Sequence, residues 1–146
     1  MTTTYTPLYT TTLGSAASSV TISNIPSTYT DLVLVSTPVV TSATTFGIRF
    51  NSDSNSNYSM TTLYGDGSTA TSARTSNQTE LRISYGATSR TTNTSQIVTN
   101  IMNYSNSTTY KTLLSRDGAA SEGSGATVGL WRSTSAITSL TIIPMS

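Results

Sequence analysis

Apolar residues along the chain fall in short stretches that alternate with polar turns. In residues 44–51, for example, Phe46, Ile48 and Phe50 occupy every second position, so an extended backbone places all three on one side. Strict alternation over this length predicts a half-buried β-strand. No apolar stripe with the 3.6-residue period of a helix extends over a helical length, and the pattern therefore predicts an all-β fold.

Similar stretches recur about every 8 to 15 residues, a spacing typical of a β-sandwich or β-barrel. Residues 31–40 are the most apolar stretch and carry apolar side chains at both parities, so we expect this strand to be covered on both faces or at one end, with Pro38 at its edge or end. About eight or nine such strands predict an antiparallel sandwich of two sheets, with jelly-roll-like or immunoglobulin-like topology. The predicted strands cover residues 18–22, 31–40, 44–51, 60–64, 80–85, 95–104, 110–116, 128–132 and 137–143.

Polar segments separate these strands. Residues 68–78 are predicted as a long loop because they contain almost no large apolar side chain. Asp117 and Gly118 are predicted as a turn, and the glycines and serines of residues 121–125 as a flexible loop.

The length of 146 residues predicts one domain, which we place at residues 15–146 behind an extended N-terminal arm at residues 1–14. The arm is uncharged, and its Pro7 favours an extended backbone. Such an arm is either a frayed tail or a segment that docks on a neighbouring subunit by strand addition, and its cluster of apolar and aromatic side chains favours docking. The predicted interface residues are Tyr5, Pro7, Leu8 and Tyr9.

The large apolar residues of the predicted strands are the candidate core. Trp131, the only tryptophan, ends a strand beside Arg132, and burial under the arginine stem is a better account of it than a ligand platform. The predicted core residues are Phe46, Ile48, Phe50, Ile101, Leu114, Leu130 and Trp131.

The amino-acid composition excludes several kinds of catalytic and metal-binding site. The chain has 32 Thr and 26 Ser but no His and no Cys, which removes an imidazole base, a thiolate nucleophile, disulfides and the usual zinc ligands. Threonine is β-branched and suits an exposed strand, so its abundance agrees with a folded β-protein rather than a disordered chain. We therefore expect a non-enzymatic protein without a cofactor or bound metal.

Charge argues against two classes of partner. Only 9% of the residues are charged, the formal net charge is +1, and the basic residues are scattered instead of forming the patch that a nucleic acid needs. No segment approaches the roughly 18 consecutive apolar residues of a membrane helix, and the N-terminus has no basic or apolar leader. We expect no nucleic-acid partner, no membrane partner and synthesis in the cytoplasm.

The motifs that resemble chemical sites are weak. The alternating oxygen ligands that begin at Asp53 suggest a calcium loop, but Tyr58 stands where that loop needs glycine and Tyr64 where it needs glutamate. The six acidic residues lie mostly in turns, which favours solvated turn residues over a glycosidase pair. Five Asn-x-Ser/Thr sequences are no more than this composition yields by chance.

Several segments together resemble small virion structural proteins of tailed bacteriophages, especially those that infect cyanobacteria. The resemblance covers nearly the whole chain and is specific only in combination. It lies in residues 5–8, 12–16, 48–54 (IRFNSDS), 57–59, 63–67 (LYGDG), 101–105 (IMNYS), 129–132 (GLWR) and 136–140.

The resemblance implies a structural role in a virus particle, in one of two versions. In the first, the chain is a cement or decoration protein on the capsid surface that binds the phage major capsid protein, as a dimer or trimer. In the second, it is a tail-fibre or receptor-binding module that recognises host glycans. The short length favours the first version, because fibre proteins tend to be longer. An enzyme such as a depolymerase is a distant third.

The chain departs from the resembling proteins at its C-terminus. Those proteins usually continue into a final strand that contains glycine and aromatic residues, whereas this sequence stops at Ser146. We expect one sheet to lack an edge strand, or to be completed by a neighbouring subunit or by the N-terminal arm.

Overall fold

The structure, a computed structural model, describes residues 5–84, 95–120 and 122–145, and this part of the chain contains ten strands and no helix. All strand pairs are antiparallel. The strands are β1 (Val20–Ile22), β2 (Leu32–Ser36), β3 (Thr45–Phe50), β4 (Tyr58–Gly65), β5 (Ala70–Gln78), β6 (Leu81–Arg82), β7 (Ser95–Met102), β8 (Lys111–Ala119), β9 (Gly123–Trp131) and β10 (Leu140–Met145).

The strands form two sheets that pack together as a sandwich, which confirms the predicted all-β class. The four-stranded sheet has the order β1-β10-β3-β6, and the six-stranded sheet has the order β2-β7-β8-β9-β4-β5. The chain changes sheet at most of its connections, and its first and last strands are neighbours. This is a jelly-roll arrangement into which the hairpin β8–β9 is inserted between β7 and β4.

The apolar layer between the sheets follows the two-residue period of the strands. In β3, Ile48 and Phe50 are buried, and they pair with inward-facing residues of β10 such as Leu140. In β7, Ile97 and Ile101 face the same layer from the other sheet. Alternation on both sheets therefore builds one shared core.

Two of the predicted core residues lie elsewhere. Leu114 is 43% exposed, so its assignment to the core is wrong, and Leu130 is only partly buried. The cause is parity, because Leu113 and Trp131 are buried and their neighbours in an extended strand must point the opposite way. The other five predicted core residues are buried: Phe46, Ile48, Phe50, Ile101 and Trp131.

The predicted long loop at residues 68–78 is wrong, because residues 70–78 form β5. This strand pairs with β4 at the outer edge of the six-stranded sheet, and nearly all of its side chains are exposed. An edge strand that does not cover the core is held by backbone hydrogen bonds and needs no row of apolar side chains. Threonine and serine are therefore sufficient to form it.

The hairpin β8–β9 is longer than predicted. Asp117 and Gly118 do not form a turn but continue β8, where they pair with Gly125 and Ser124 of β9. The chain turns between Ala119 and Gly123 instead. Gly118 does not indicate a turn here. Its neighbours on β9 are small, and it adopts the extended backbone of a strand.

Other boundaries agree with the sequence more closely. β2 ends at Ser36, two residues before Pro38, as expected for a residue that cannot donate to a strand ladder. The predicted strand at 80–85 is reduced to β6, and Tyr85 lies outside the described residues, as do residues 1–4 of the arm.

Gly129 lies where β9 packs closely against β6 of the opposite sheet. A methyl group at its Cα would lie 2.9 Å from one terminal carbon of Leu81 and 3.1 Å from Cγ of Leu113, both of which are fully buried. Glycine is therefore the residue that lets β6 of one sheet pack directly over β9 of the other.

We expect Gly129→Ala to lower the free energy of unfolding by about 1–3 kcal/mol, because the new methyl group overpacks a filled core. Urea denaturation followed by tryptophan fluorescence measures this change. Gly14→Ala is the matched control, since nothing lies within 4 Å of its added carbon. Equal stability of the two variants would contradict the packing argument.

Candidate functional site

The described part of the N-terminal arm, residues 5–14, lies outside both sheets. Residues 5–19 precede β1, form no strand and are exposed along their whole length. The predicted interface residues thus fall in one exposed segment, in which Tyr5 is 72% exposed. Leu8 and Tyr9 are also among the exposed large apolar residues, and Pro7, which precedes Leu8, is exposed as well. Their docking on a neighbouring subunit stays a prediction.

The outer face of the four-stranded sheet carries hydrogen-bonded and ion-paired polar side chains beside Ile143 and Met145. Thr21 and Thr141 share a hydrogen bond of 3.0 Å between their hydroxyls, and Arg49 forms an ion pair of 2.8 Å with Glu80. This is the ordinary surface of a soluble sheet, in which water meets hydroxyls and paired charges.

The outer face of the six-stranded sheet is different. We call its exposed apolar residues, which come from β2, β4, β7, β8 and β9, the apolar sheet face. Six of them are between 39% and 61% exposed, and three more are partly exposed. The six are Val33, Val35, Leu63, Met102, Leu114 and Val128, and the three are Val98, Ala126 and Leu130.

This face arises because several strands carry apolar residues at both parities. In β2, Leu32 and Leu34 face the core, so Val33 and Val35 must face outward. The sequence predicted that this strand would be covered on both faces or at one end. In the described part of the chain its outward side chains are uncovered, with Val35 61% exposed.

Asp53 anchors the loop between β3 and β4. One oxygen, Oδ1, accepts hydrogen bonds of 2.9 Å from the backbone and the side chain of Asn55. The other, Oδ2, accepts from Asn57 at 2.9 Å and from the indole Nε1 of Trp131 at 2.7 Å. Burial alone would raise the pKa of Asp53, but these donors outweigh it and lower the pKa to about 2. The carboxylate is occupied by N–H donors, which is the geometry of a loop anchor rather than a calcium ligand.

Trp131 and two other rings pack above this loop. The rings of Tyr58 and Trp131 are near parallel, with centroids 6.3 Å apart, and Phe50 lies 5.5 Å from Trp131. The buried Tyr58 hydroxyl accepts from the backbone of Phe50 and donates to the carbonyl of Asp53. Burial raises the pKa of Tyr58 to about 12. The structure thus places Trp131 in the core, as the sequence indicated.

Asp66 has a similar structural role in the hairpin between β4 and β5. Its Oδ1 accepts from the backbone of Ser68 at 2.9 Å and of Thr69 at 2.7 Å, and these donors hold the pKa of Asp66 well below its usual range. The end of this hairpin and the turn of β8–β9 enclose an open depression of about 350 Å³, which Glu122 also lines. Both acids belong to turns, as the sequence predicted.

Lys111 is the buried titratable residue that the sequence did not reveal. It is 1% exposed, and its Nζ donates to the carbonyls of Thr109 at 2.7 Å and Thr134 at 3.1 Å. Burial lowers the pKa of Lys111. Because the amine is enclosed and bound to two carbonyls, it ties two loops together and is not placed to meet a substrate.

Two searches of the described residues returned nothing. No group of three or more acidic side chains is placed to hold a metal ion, and no helix in those ranges is long and apolar enough to cross a membrane. One of the five Asn-x-Ser/Thr sequences, at Asn93, lies outside the described residues.

Comparisons with known proteins give no relative. No protein-family profile matches the chain, and neither the curated proteins nor the solved structures contain a match.

We expect Asp53→Ala to lower the free energy of unfolding by about 1–3 kcal/mol, because it leaves the buried Trp131 indole N–H without its acceptor. Thermal or urea unfolding measures the loss. Asp31→Ala is the control, since Asp31 accepts one exposed backbone hydrogen bond, from Asn103. A loss at Asp53 no larger than that at Asp31 would contradict the anchor role.

The anchor also predicts a pH dependence. The pKa of Asp53 is lowered from 3.8 to about 2 in the fold, so its stabilising contribution is present above pH 3.8 and is lost as the pH falls through about 2. Urea unfolding between pH 6 and pH 2, at about ten conditions, measures the slope. Asp53→Asn should make the fall of the unfolding free energy with decreasing pH shallower. Part of this fall should remain, because the pKa values of Asp66 and Glu80 are also lowered in the fold.

Proposed function

We propose that this chain is a non-enzymatic structural protein of a tailed-bacteriophage virion. Its most specific role would be that of a cement or decoration protein on the capsid surface, where it binds and stabilises the shell of the major capsid protein. The observation that carries the proposal is the exposed N-terminal arm. Tyr5, Leu8 and Tyr9 stand in water beside a sandwich that already has a closed core without them. The phage assignment rests on the sequence resemblance described above.

The chemistry of the chain supports a structural role. The sequence has no histidine and no cysteine, and the acids in the described turns serve as anchors. The buried amine of Lys111 is bound to two carbonyls. Serine and threonine make up 58 of the 146 residues and only 9% are charged, a composition that suits contacts between proteins more than the activation of a substrate.

Attachment would work by adding many modest contacts. A standard interface buries roughly 800 Å² on each partner, and a symmetric shell repeats that contact many times. Copies of the chain would also associate with one another on the shell as dimers or trimers. Because the arm is uncharged, its contacts depend on apolar burial and backbone hydrogen bonds rather than on ion pairs.

The alternative is a tail-fibre or receptor-binding module that recognises host glycans. Jelly-roll sandwiches also occur in lectins. An open depression of about 350 Å³ at one end of the six-stranded sheet, lined by residues such as Gly67, Glu122 and Ser124, is the observation that favours this alternative. A glycan-array screen distinguishes the two roles, because a fibre module should retain a sugar and a cement protein need not.

We expect a chain that lacks residues 1–12 to fold normally and to bind phage shells more weakly than the full chain. The measurement is co-sedimentation of purified protein with undecorated shells, with circular dichroism as the check on folding. Undiminished binding by the truncated chain would show that the arm hypothesis is wrong. Electron microscopy of intact particles tests the role itself, since density confined to the tail would exclude the cement function.

Binding to the shell should change little with ionic strength. Exposed ion pairs are the contacts that salt screens, and the arm has none to lose. The same co-sedimentation assay at about 50 mM and 500 mM sodium chloride measures the effect, and a fall in affinity of tenfold or more would point to an ionic interface instead.

A further inference from the structure

The apolar sheet face has the layout of a protein interface. Its centre lies on β8 and β9, where Leu114 and Val128 are paired across the two strands. The next row runs through Val98, Arg116, Ala126 and Leu63 on four successive strands. Polar side chains surround these rows, among them Gln96, Ser124, Ser72 and Thr112. An apolar centre with a polar rim is the usual anatomy of a protein–protein interface.

The size of the face agrees with this interpretation. The five strands of the face, each about 4.8 Å wide and on average about eight residues long at about 3.3 Å per residue, give a surface of roughly 24 Å by 26 Å, or about 600 Å² before side-chain relief is counted. Relief brings the accessible area towards the roughly 800 Å² per partner of a stable interface. The face is therefore large enough for one complete dimer contact.

We infer that this face pairs with the same face of a second copy of the chain, in a two-fold symmetric dimer of stacked sheets. The strand register makes the face self-complementary. A two-fold axis that runs along the strands, between β8 and β9, brings Leu114 opposite Val128 of the partner subunit and Val98 opposite Leu63 of the partner subunit. Apolar side chains thus meet at these two positions, while the outer positions of the first row place Asn100 opposite Thr61 of the partner subunit and Val33 opposite Arg74 of the partner subunit.

The same operation separates the charges. Arg116 and Arg74 are the charged residues of this face, and in the described part of the chain neither takes part in an ion pair. The axis places Arg116 opposite Ala126 of the partner subunit, a small residue, rather than opposite its own copy. The guanidinium then extends past the small side chain towards the polar rim, where hydroxyls and water solvate it.

This inference deepens the proposed function, because it rests on the part of it that has copies of the chain associate on the shell. It concerns a different surface from the arm. The dimer inference and the cement function can therefore be tested separately. A chain that forms the dimer but does not bind phage shells would support the inference and exclude the cement function.

The first test is the oligomeric state of the full chain in solution. We expect sedimentation equilibrium to show a dimer at micromolar concentration, and Val128→Asp to raise its dissociation constant by at least about 100-fold, because the dimer would bury an unpaired carboxylate. Leu63→Asp should act in the same way. Both residues are more than half exposed, so the monomer should keep its thermal unfolding midpoint.

The matched control is Val39→Asp. Val39 is 66% exposed, has the same side chain as Val128 and lies beyond the end of β2, away from the sheet face. We expect this variant to dimerise like the unaltered protein. Equal weakening by Val39→Asp and Val128→Asp would show that added negative charge, not the face, is responsible, and would overturn the inference.

A cross-link locates the contact. The chain has no cysteine, so Val128→Cys introduces a single thiol at the centre of the face. In the proposed dimer the two copies of this residue lie about 11 Å apart, since facing sheets are about 10 Å apart and the two strands are offset by about 4.8 Å. A bismaleimide with a spacer of about 10 Å should therefore give a covalent dimer, whereas Val39→Cys should give little.

Three results would overturn the inference. One is a monomer at all concentrations up to about 100 µM, well above the dissociation constants of stable dimers. Another is a dimer that Val128→Asp leaves intact, which would place the contact on another surface. The third is a monomer whose binding to phage shells is abolished by Val128→Asp, because the face would then belong to the shell, and the cement role would stand without the dimer.

Discussion

The burial of one apolar layer between two sheets decides the direction of every side chain in the sandwich. Side chains alternate along a strand, so once Leu113 and Trp131 point into this layer, Leu114 and Leu130 must point away from it. At Gly129 the absence of a Cβ leaves room for Leu81 of the opposite sheet, since an added Cβ would lie 2.9 Å from it. The position of the core therefore determines which residues remain for the surface.

The inner layer also explains part of the unusual abundance of hydroxyl residues. Thr99 and Ser115 are fully buried, and their hydroxyls share a hydrogen bond of 2.8 Å, while Ser115 donates to the carbonyl of Ile83 at 2.7 Å. A buried hydroxyl is tolerated when it has such partners. These bonds join β7 and β8 to the segment after β6, and so they link the two sheets. Serine and threonine thus serve as internal connectors as well as surface residues.

The sequence predicted the fold class because alternation needs no knowledge of distant contacts. Phe46, Ile48 and Phe50 identify both a strand and its buried side. Parity is ambiguous where two apolar residues are adjacent, as at Leu113 and Leu114, because only the partner sheet decides which one is inside. The sequence does not predict β5, because this edge strand is held by backbone hydrogen bonds to β4, and a polar stretch of sequence gives no sign of that pairing. The sequence indicates the arm as a candidate site because its apolar and aromatic residues lie close together along the chain. The apolar sheet face could not be predicted in this way, because its residues come together only when five strands are placed in register.

The low net charge of the chain favours association through the apolar sheet face. Solubility of a monomer normally depends on charges that keep copies apart, and here the formal net charge is +1 with 9% charged residues. Hydroxyl groups hydrate the four-stranded sheet and the loops, but they create no long-range repulsion. An apolar surface on a nearly neutral molecule meets little resistance to association, and its hydration cost favours burial. A hydroxyl-rich composition with low net charge therefore offers little electrostatic resistance to the proposed pairing of the six-stranded sheet, and the orientation imposed by the core determines which residues that pairing would bring together.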